Sequence, residues 1–262
     1  MPITTLVTAF YLVKSKFPPE RYIGWMKNLL PHVTSFNLVV FCDSTTRPLL
    51  EAIAAAPNPR IRLVEKPMTD FYTYKYKANW IANQAVNTHL SQISWELNML
   101  WAEKINFVKS ALEADYFPGT SHIGWCDIGY FRDGPPRADW PNCAALNPDK
   151  IYYALVNNNR AYVADLMRLI INKNTATTLP TVPIPPNQIS VAGGFFITTP
   201  PAVDWWHETF YSRLDTYFKH GALVKDDQII VADCVFSQMN RFVLVKESEP
   251  GLDNWFLFRR YL

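Results

Sequence analysis

The chain is predicted to fold as an α/β protein with a mixed, mostly parallel sheet flanked by helices, and three features carry that expectation. Strand-like apolar runs alternate with helical periods from the N-terminus to Glu65. The run Phe36-Asn-Leu-Val-Val-Phe-Cys42 is almost continuously apolar, as in a strand covered on both faces. A later run, His122-Ile-Gly-Trp-Cys, leads into Asp127 and then Ile-Gly-Tyr-Phe-Arg-Asp133 and a Gly-Pro-Pro turn. That is the profile of a buried strand delivering a carboxylate to its C-terminal edge, where α/β sheets place their ligands.

Taken in order, Ile3 to Val13 is β-branched and aromatic and reads as the first strand, ending at Lys14-Ser-Lys-Phe-Pro-Pro. Glu20 to Leu30 has apolar residues at helical spacing (Ile23, Met26, Leu30) and stops at Pro31. After the second strand, Asp43-Ser-Thr-Thr reads as a turn and N-cap before a helix over Pro48 to Ala56, and Arg60 to Glu65 as a third strand. This βαβαβ start implies parallel pairing with right-handed crossovers. Phe71 to Lys77 alternates aromatic with polar or basic residues and fits an edge strand, a loop or a helix start. Ile93 to Ala114 is expected as one long helix, with Leu97, Leu100, Trp101, Ile105, Val108 and Leu112 on its apolar stripe and Lys104 close to it.

Beyond the Asp127 strand, a loop-rich stretch leads to a strand at Ile151-Tyr-Tyr-Ala-Leu and a helix over Ala161 to Ile171. Thr175 to Asn187 is a Pro/Thr segment without a period, either a functional lid or a surface loop. Ile189 to Thr199 carries Gly193-Gly194-Phe-Phe-Ile, a glycine pair feeding a strand. Ala202 to His220 is amphipathic, with Val203, Trp206, Phe210, Leu214 and Phe218 on one face. Lys225-Asp-Asp-Gln opens another helix with two carboxylates in its first turn, where the helix dipole favours negative charge. Phe242 to Val245 is a last strand, followed by the aromatic tail Trp255 to Tyr261. No internal repeat or linker divides the chain, so residues 1–262 are expected to form one domain.

Composition narrows the function classes. Hydrophobic residues at 49% and charged ones at 18% require a packed core. A formal net charge of +2 argues against a nucleic-acid binder, which needs a strong basic field. No apolar run approaches the ~20 residues of a membrane-spanning helix. The absence of a basic-then-apolar leader and of any CxxC among the 4 Cys favours a cytoplasmic setting with reduced thiols. The aromatic share of 15% suits either an aromatic core or stacking on sugars and bases. The five His form no HxH or HExxH, which disfavours a zinc hydrolase.

The residues that bear chemistry each have two readings. Asp127 fits a ligand to Mg²⁺ or Mn²⁺ on a diphosphate, with Gly129 allowing close approach, or else a cap on the following turn. Asp226 and Asp227 suit a base, nucleophile or charge stabiliser, or simple helix capping. Gly193 and Gly194 present backbone N–H groups to a ligand or permit tight packing. Lys77 and Lys104 pair with phosphate or a sugar hydroxyl, or are ordinary surface lysines.

In combination, the order of these pieces is more specific. A βαβαβ start, a long helix with a basic residue, a strand ending Trp-Cys-Asp-Ile-Gly, a Gly-Gly-Phe-Phe strand and an Asp-Asp-Gln helix start together resemble the GT-A class of nucleotide-sugar glycosyltransferases. Within that class the chain resembles the HtrL/YibB-type bacterial proteins and their viral relatives, from Thr5 to about Val235. The resemblance implies a GT-A-like, Rossmann-related fold, a nucleoside diphosphate sugar donor and a glycan or glycoconjugate acceptor. It places base and ribose at Thr8, Ala9, Phe10 and Tyr11, the metal (Mn²⁺ or Mg²⁺) and diphosphate at Asp127, and a donor contact at Lys104. It places the sugar and acceptor cleft at Gly193 and Gly194, and the catalytic or sugar-binding carboxylate at Asp226 or Asp227. One position departs from the Asp-x-Asp pattern: Gly129 stands where the second acid would be, as it does in HtrL/YibB-like proteins. Two other classes remain open, a nucleotidyltransferase acting on sugar phosphates and a non-catalytic glycan-binding protein. The segment Lys14-Ser-Lys-Phe-Pro-Pro matches the Gly-rich loop of the first poorly.

Overall fold

A computed structural model describes residues 3–54 and 56–262. Seven strands form one sheet: β1 (Thr4–Phe10), β2 (Asn37–Cys42), β3 (Ile61–Glu65), β4 (His122–Cys126), β5 (Ile151–Leu155), β6 (Val191–Thr198) and β7 (Phe242–Lys246). The helices are α1 (Pro19–Leu29), α2 (Arg47–Ala54), α3 (Lys77–Ala85), α4 (Trp95–Ala102), α5 (Lys104–Glu113), α6 (Arg160–Ile171), α7 (Pro200–Lys219), α8 (Asp227–Ser237) and the short α9 (Phe258–Tyr261). The sheet order is β3-β2-β1-β4-β6-β5-β7. Strand β6 runs antiparallel to β4 and β5, and the remaining pairings are parallel. This is the expected mixed, mostly parallel sheet flanked by helices.

The two faces of the sheet carry separate apolar layers. Residues Val7, Val39, Trp125 and Phe196 pack with Phe107 of α5, Trp206 and Phe210 of α7, and Ile230 of α8. On the other face, Leu6, Leu38, Cys126 and Ile197 pack with Met26 of α1, Leu50 of α2 and Phe258 of α9. The β4–β6 junction depends on one glycine. A Cβ on Gly124 would lie 2.0 Å from the Phe196 carbonyl oxygen, so a larger residue there would force the strands apart.

Several elements differ from the sequence-based expectations. The first strand ends at Phe10, three residues early, and Leu12 to Pro18 runs on as irregular chain. The helix expected over Pro48 to Ala56 runs from Arg47 to Ala54, and Ala55 lies outside the described residues. Phe71 to Lys77 is a 3₁₀ turn over Tyr72–Tyr76 that leads into α3, a helix the apolar period did not reveal. The single long helix is broken at Glu103 into α4 and α5. Glu103 is fully buried and its carboxylate accepts from Tyr72 N (2.8 Å), Thr73 N (2.9 Å), Thr73 Oγ1 (2.7 Å) and Asn106 Nδ2 (2.7 Å). Burying a carboxylate is tolerated only with such a complete set of donors. The break makes Lys104 the first residue of α5.

The Pro/Thr segment is irregular, as expected, but it is tied down rather than poised over a cleft. Thr178 O accepts from Arg213 (2.7 Å), and Lys173 pairs with the buried Asp233, which also takes Tyr217 Oη (2.8 Å) and Ser237 Oγ (3.1 Å). No residue from Thr175 to Asn187 lines the site cavity.

Candidate active site

Strands β1 and β4 are parallel neighbours, so the chain segments leaving Phe10 and Cys126 emerge at one edge of the sheet. A cavity of about 400 Å³ opens there. Its floor is an ionic cluster built from three distant segments. Lys104 Nζ lies 3.0 Å from Asp227 Oδ2, 3.3 Å from Asp127 Oδ1 and 2.9 Å from the Gly193 carbonyl oxygen. These acceptors satisfy the three donors of an ammonium. That completeness allows Lys104, 7% exposed, to be charged below the surface. Burial alone would lower its pKa, but Asp127 and Asp227 reverse this and hold it above the ordinary lysine value.

Asp127 is placed by strand alternation. Trp125 and Asp127 sit two apart and share a face, and Trp125 Nε1 donates to Asp127 Oδ1 at 2.6 Å. The Asp127 backbone N–H continues the sheet to Gly194 O (2.8 Å). Asp227 opens α8, and Gln228 Nε2 anchors that helix start to Val191 O (2.6 Å). Burial raises the Asp227 carboxyl to about 6, against the opposing pull of Lys104. The glycine pair serves packing. A Cβ on Gly193 would stand 3.1 Å from Asp227 Oδ2, and one on Gly194 would stand 3.2 Å from Asp127 Oδ2. A side chain at either position would press on the facing carboxylate, which would have to give by a few tenths of an ångström. Asp226 is 4% exposed, with Oδ2 paired to Lys225 at 3.0 Å. Its Oδ1 is buried and finds no hydrogen-bond partner among the described residues.

The expected residues divide accordingly. Ala9, Phe10, Tyr11, Lys104, Asp127, Gly193, Gly194, Asp226 and Asp227 all line the cavity. Thr8 does not: it lies inside β1, fully buried, two residues short of the edge. Lys77 does not either. It begins α3, where its ammonium bonds Tyr74 Oη (3.3 Å) and sits 5.8 Å from the Trp95 ring centre. Among the 4 Cys, Cys126 is nearest in sequence to Asp127, and burial pushes its thiol well up, so it stays protonated.

Sequence reasoning missed one wall of the cavity. Ser15, Lys16, Phe17, Tyr22, Arg132 and Phe256 come from the post-β1 segment, α1, the turn after Asp127 and the C-terminal tail. The Arg132 guanidinium lies 4.5 Å from the Trp25 ring centre and 4.6 Å from that of Phe256, and Lys16 Nζ is 5.4 Å from Trp101. Cations over aromatic faces gain from the ring quadrupole. The only sequence signal was the density of aromatic and basic residues in these stretches.

The donor set was tested for a divalent ion of the Asp-x-Asp kind. Asp127 Oδ1 is committed to Trp125 and Lys104, which leaves Oδ2. Position 129 has no acid, and a Cβ there would meet Trp25 Cε3 at 2.6 Å, so the Trp25 indole fills the space a second carboxylate needs. The ammonium of Lys104 lies between Asp127 and Asp227 and offsets one of their two negative charges. Among the described residues no group of three His, Cys, Asp or Glu is arranged to hold a metal. The residues present do not fit that type of site.

No protein-family model matches the sequence, and no curated protein matches it. Solved structures do. Mouse xyloside xylosyltransferase 1, in its apo form, is 12% identical with a TM-score of 0.51, over 93% of this chain and 85% of that one. Core-mannan synthase A from Aspergillus fumigatus, in a Mn/GDP form, is 10% identical with a TM-score of 0.51, over 99% of this chain and 82% of that one. Both neighbours are GT-A-type glycosyltransferases, and at these identities the likeness is one of fold. No helix among the described residues is long and apolar enough to cross a membrane. The chain therefore has a GT-A-like fold, with its acid–lysine cluster in the cavity at the C-terminal edge of β1 and β4.

Proposed function

We propose that the protein is a glycosyltransferase of one domain over residues 1–262, moving a sugar from a nucleoside diphosphate sugar to a hydroxyl of a glycan acceptor. The observation that carries this reading is the convergence of Asp127, Asp227 and Lys104 on the floor of the cavity at the C-terminal edge of β1 and β4. The Asp-x-Gly turn at Asp127 keeps the HtrL/YibB-type resemblance as the narrower assignment.

Catalysis in such a site is mostly positioning and electrostatics. Lys104 holds Asp127 and Asp227 in fixed geometry. Asp227, with a carboxyl raised by burial to about 6, is ionised at neutral pH yet basic enough to take a proton from an attacking hydroxyl or to stabilise a developing oxocarbenium. Asp226 Oδ1, buried without a partner among the described residues, is suited to accept a hydrogen bond from a donor-sugar hydroxyl. The aromatic wall of Tyr22, Trp255 and Phe256 offers apolar faces for sugar rings.

The test is a screen of UDP- and GDP-sugars against glycan acceptors, with and without Mn²⁺, on the wild type and Asp127→Ala. Release of nucleoside diphosphate by the wild type and its loss in the variant supports transfer. Binding of glycan with no effect of any nucleotide would instead identify a glycan-binding protein. Formation of pyrophosphate from a nucleoside triphosphate and a sugar phosphate would identify a nucleotidyltransferase.

A further inference from the structure

We infer that the donor diphosphate is held by the cation pair Lys16 and Arg132, so that nucleotide binding does not depend on a divalent ion. The inference rests on the glycosyltransferase reading and concerns how that site holds its donor.

The first argument is what occupies the metal's usual space. Trp25 walls off position 129, and a side chain there would meet the indole at 2.6 Å. Lys104 lies within 3.3 Å of both Asp127 and Asp227 and offsets one of their two charges. A dication placed there would meet a cluster of net charge −1 rather than −2 and would be repelled by the ammonium itself.

The second argument is the presence of cations with nothing else to do. Lys16 and Arg132 are exposed, both line the cavity, and among the described residues neither forms an ion pair. Their rings are also part of the device. Trp25 and Phe256 seat the Arg132 guanidinium and Trp101 seats the Lys16 ammonium, which limits the freedom each cation loses on binding an anion. Lys16 comes from the segment after β1 and Arg132 from the turn after Asp127, and both line the cavity. Guanidinium is the natural partner of phosphate because its fork of N–H donors matches two oxygens at once. The cavity also contains Asp226, Asp227, Asp127 and Asp253. Asp226 and Asp227 act on Lys16 through space, and Asp127 and Asp253 on Arg132, but among the described residues none lies within ion-pair distance of either cation.

Calorimetric titration of UDP and of GDP, each in EDTA and each in Mn²⁺, tests this. One of the two nucleotides is expected to bind in EDTA with a Kd within about threefold of that in Mn²⁺. Lys16→Gln and Arg132→Gln should each weaken it by about ten- to a hundredfold, the range of a lost charged hydrogen bond. Arg132→Lys should recover part of the loss, and thermal melts should leave these exposed-site variants folded. A nucleotide that binds only in Mn²⁺ overturns the inference and leaves the transferase reading standing. Equal binding by wild type and both variants in EDTA also overturns it. If neither nucleotide binds in either condition, the proposed function falls and the inference falls with it.

Discussion

Replacing Lys104 with Met removes an ammonium but keeps an unbranched stem, and its cost can be worked from the site. Three contacts at 2.9 to 3.3 Å disappear, and Asp227, 6% exposed, is left without its cation. Breaking a buried pair from one side typically costs about 3–5 kcal/mol. Part of that cost has a pH signature. In the wild type the Asp227 carboxyl sits at about 6, raised by burial and restrained by Lys104. Without Lys104 it rises further, so the variant keeps its proton at pH 7. A carboxyl with a raised folded pKa contributes stability that is complete below its unfolded value and lost as pH climbs through the folded one. Between an unfolded value of 3.8 and pH 6 both proteins lose this contribution together. Above pH 6 only the variant continues to lose it, at about 1.4 kcal/mol per unit. Urea unfolding at pH 5 and pH 7 should therefore show a deficit for Lys104→Met that is larger at pH 7 by about 1 kcal/mol. A deficit below about 1 kcal/mol at neutral pH, with no change at pH 5, would refute a buried, charge-balanced cluster.

Two further outcomes follow from the same geometry. Asp227→Asn keeps the shape and an oxygen toward Lys104 but removes the charge; turnover measured by diphosphate release should fall about 10²- to 10⁴-fold. The wild type should show an acidic limb near pH 6 from this group, and an unchanged limb in the residual activity of the variant would assign it elsewhere. Gly129→Ala places a methyl 2.6 Å from Trp25 Cε3 and should cost about 1–3 kcal/mol in chemical unfolding, whereas Gly129→Ala with Trp25→Leu should cost less than the two single changes together.

The sequence alone determined the parts of this protein whose causes are local. Hydrophobic period and turn chemistry were enough for β1 to β3, for α7, and for an acid at each of two element ends, Asp127 and Asp227. Periodicity could not show that the helix expected from Ile93 to Ala114 breaks at Glu103, because the cause is a buried carboxylate bonded to Tyr72 and Thr73, 31 and 30 residues away. Nor could it place Thr8 and Lys77 outside the cavity, since burial of a strand position and the direction of a helix depend on the covering elements. Tertiary structure decided the site itself. Lys104 meets Gly193 across 89 residues of chain, the glycine pair lies against Asp127 and Asp227, and Trp25 of α1 stands against Gly129. Such meetings leave no mark in any short window, because their energy comes from groups that become neighbours only when the sheet order β3-β2-β1-β4-β6-β5-β7 is complete.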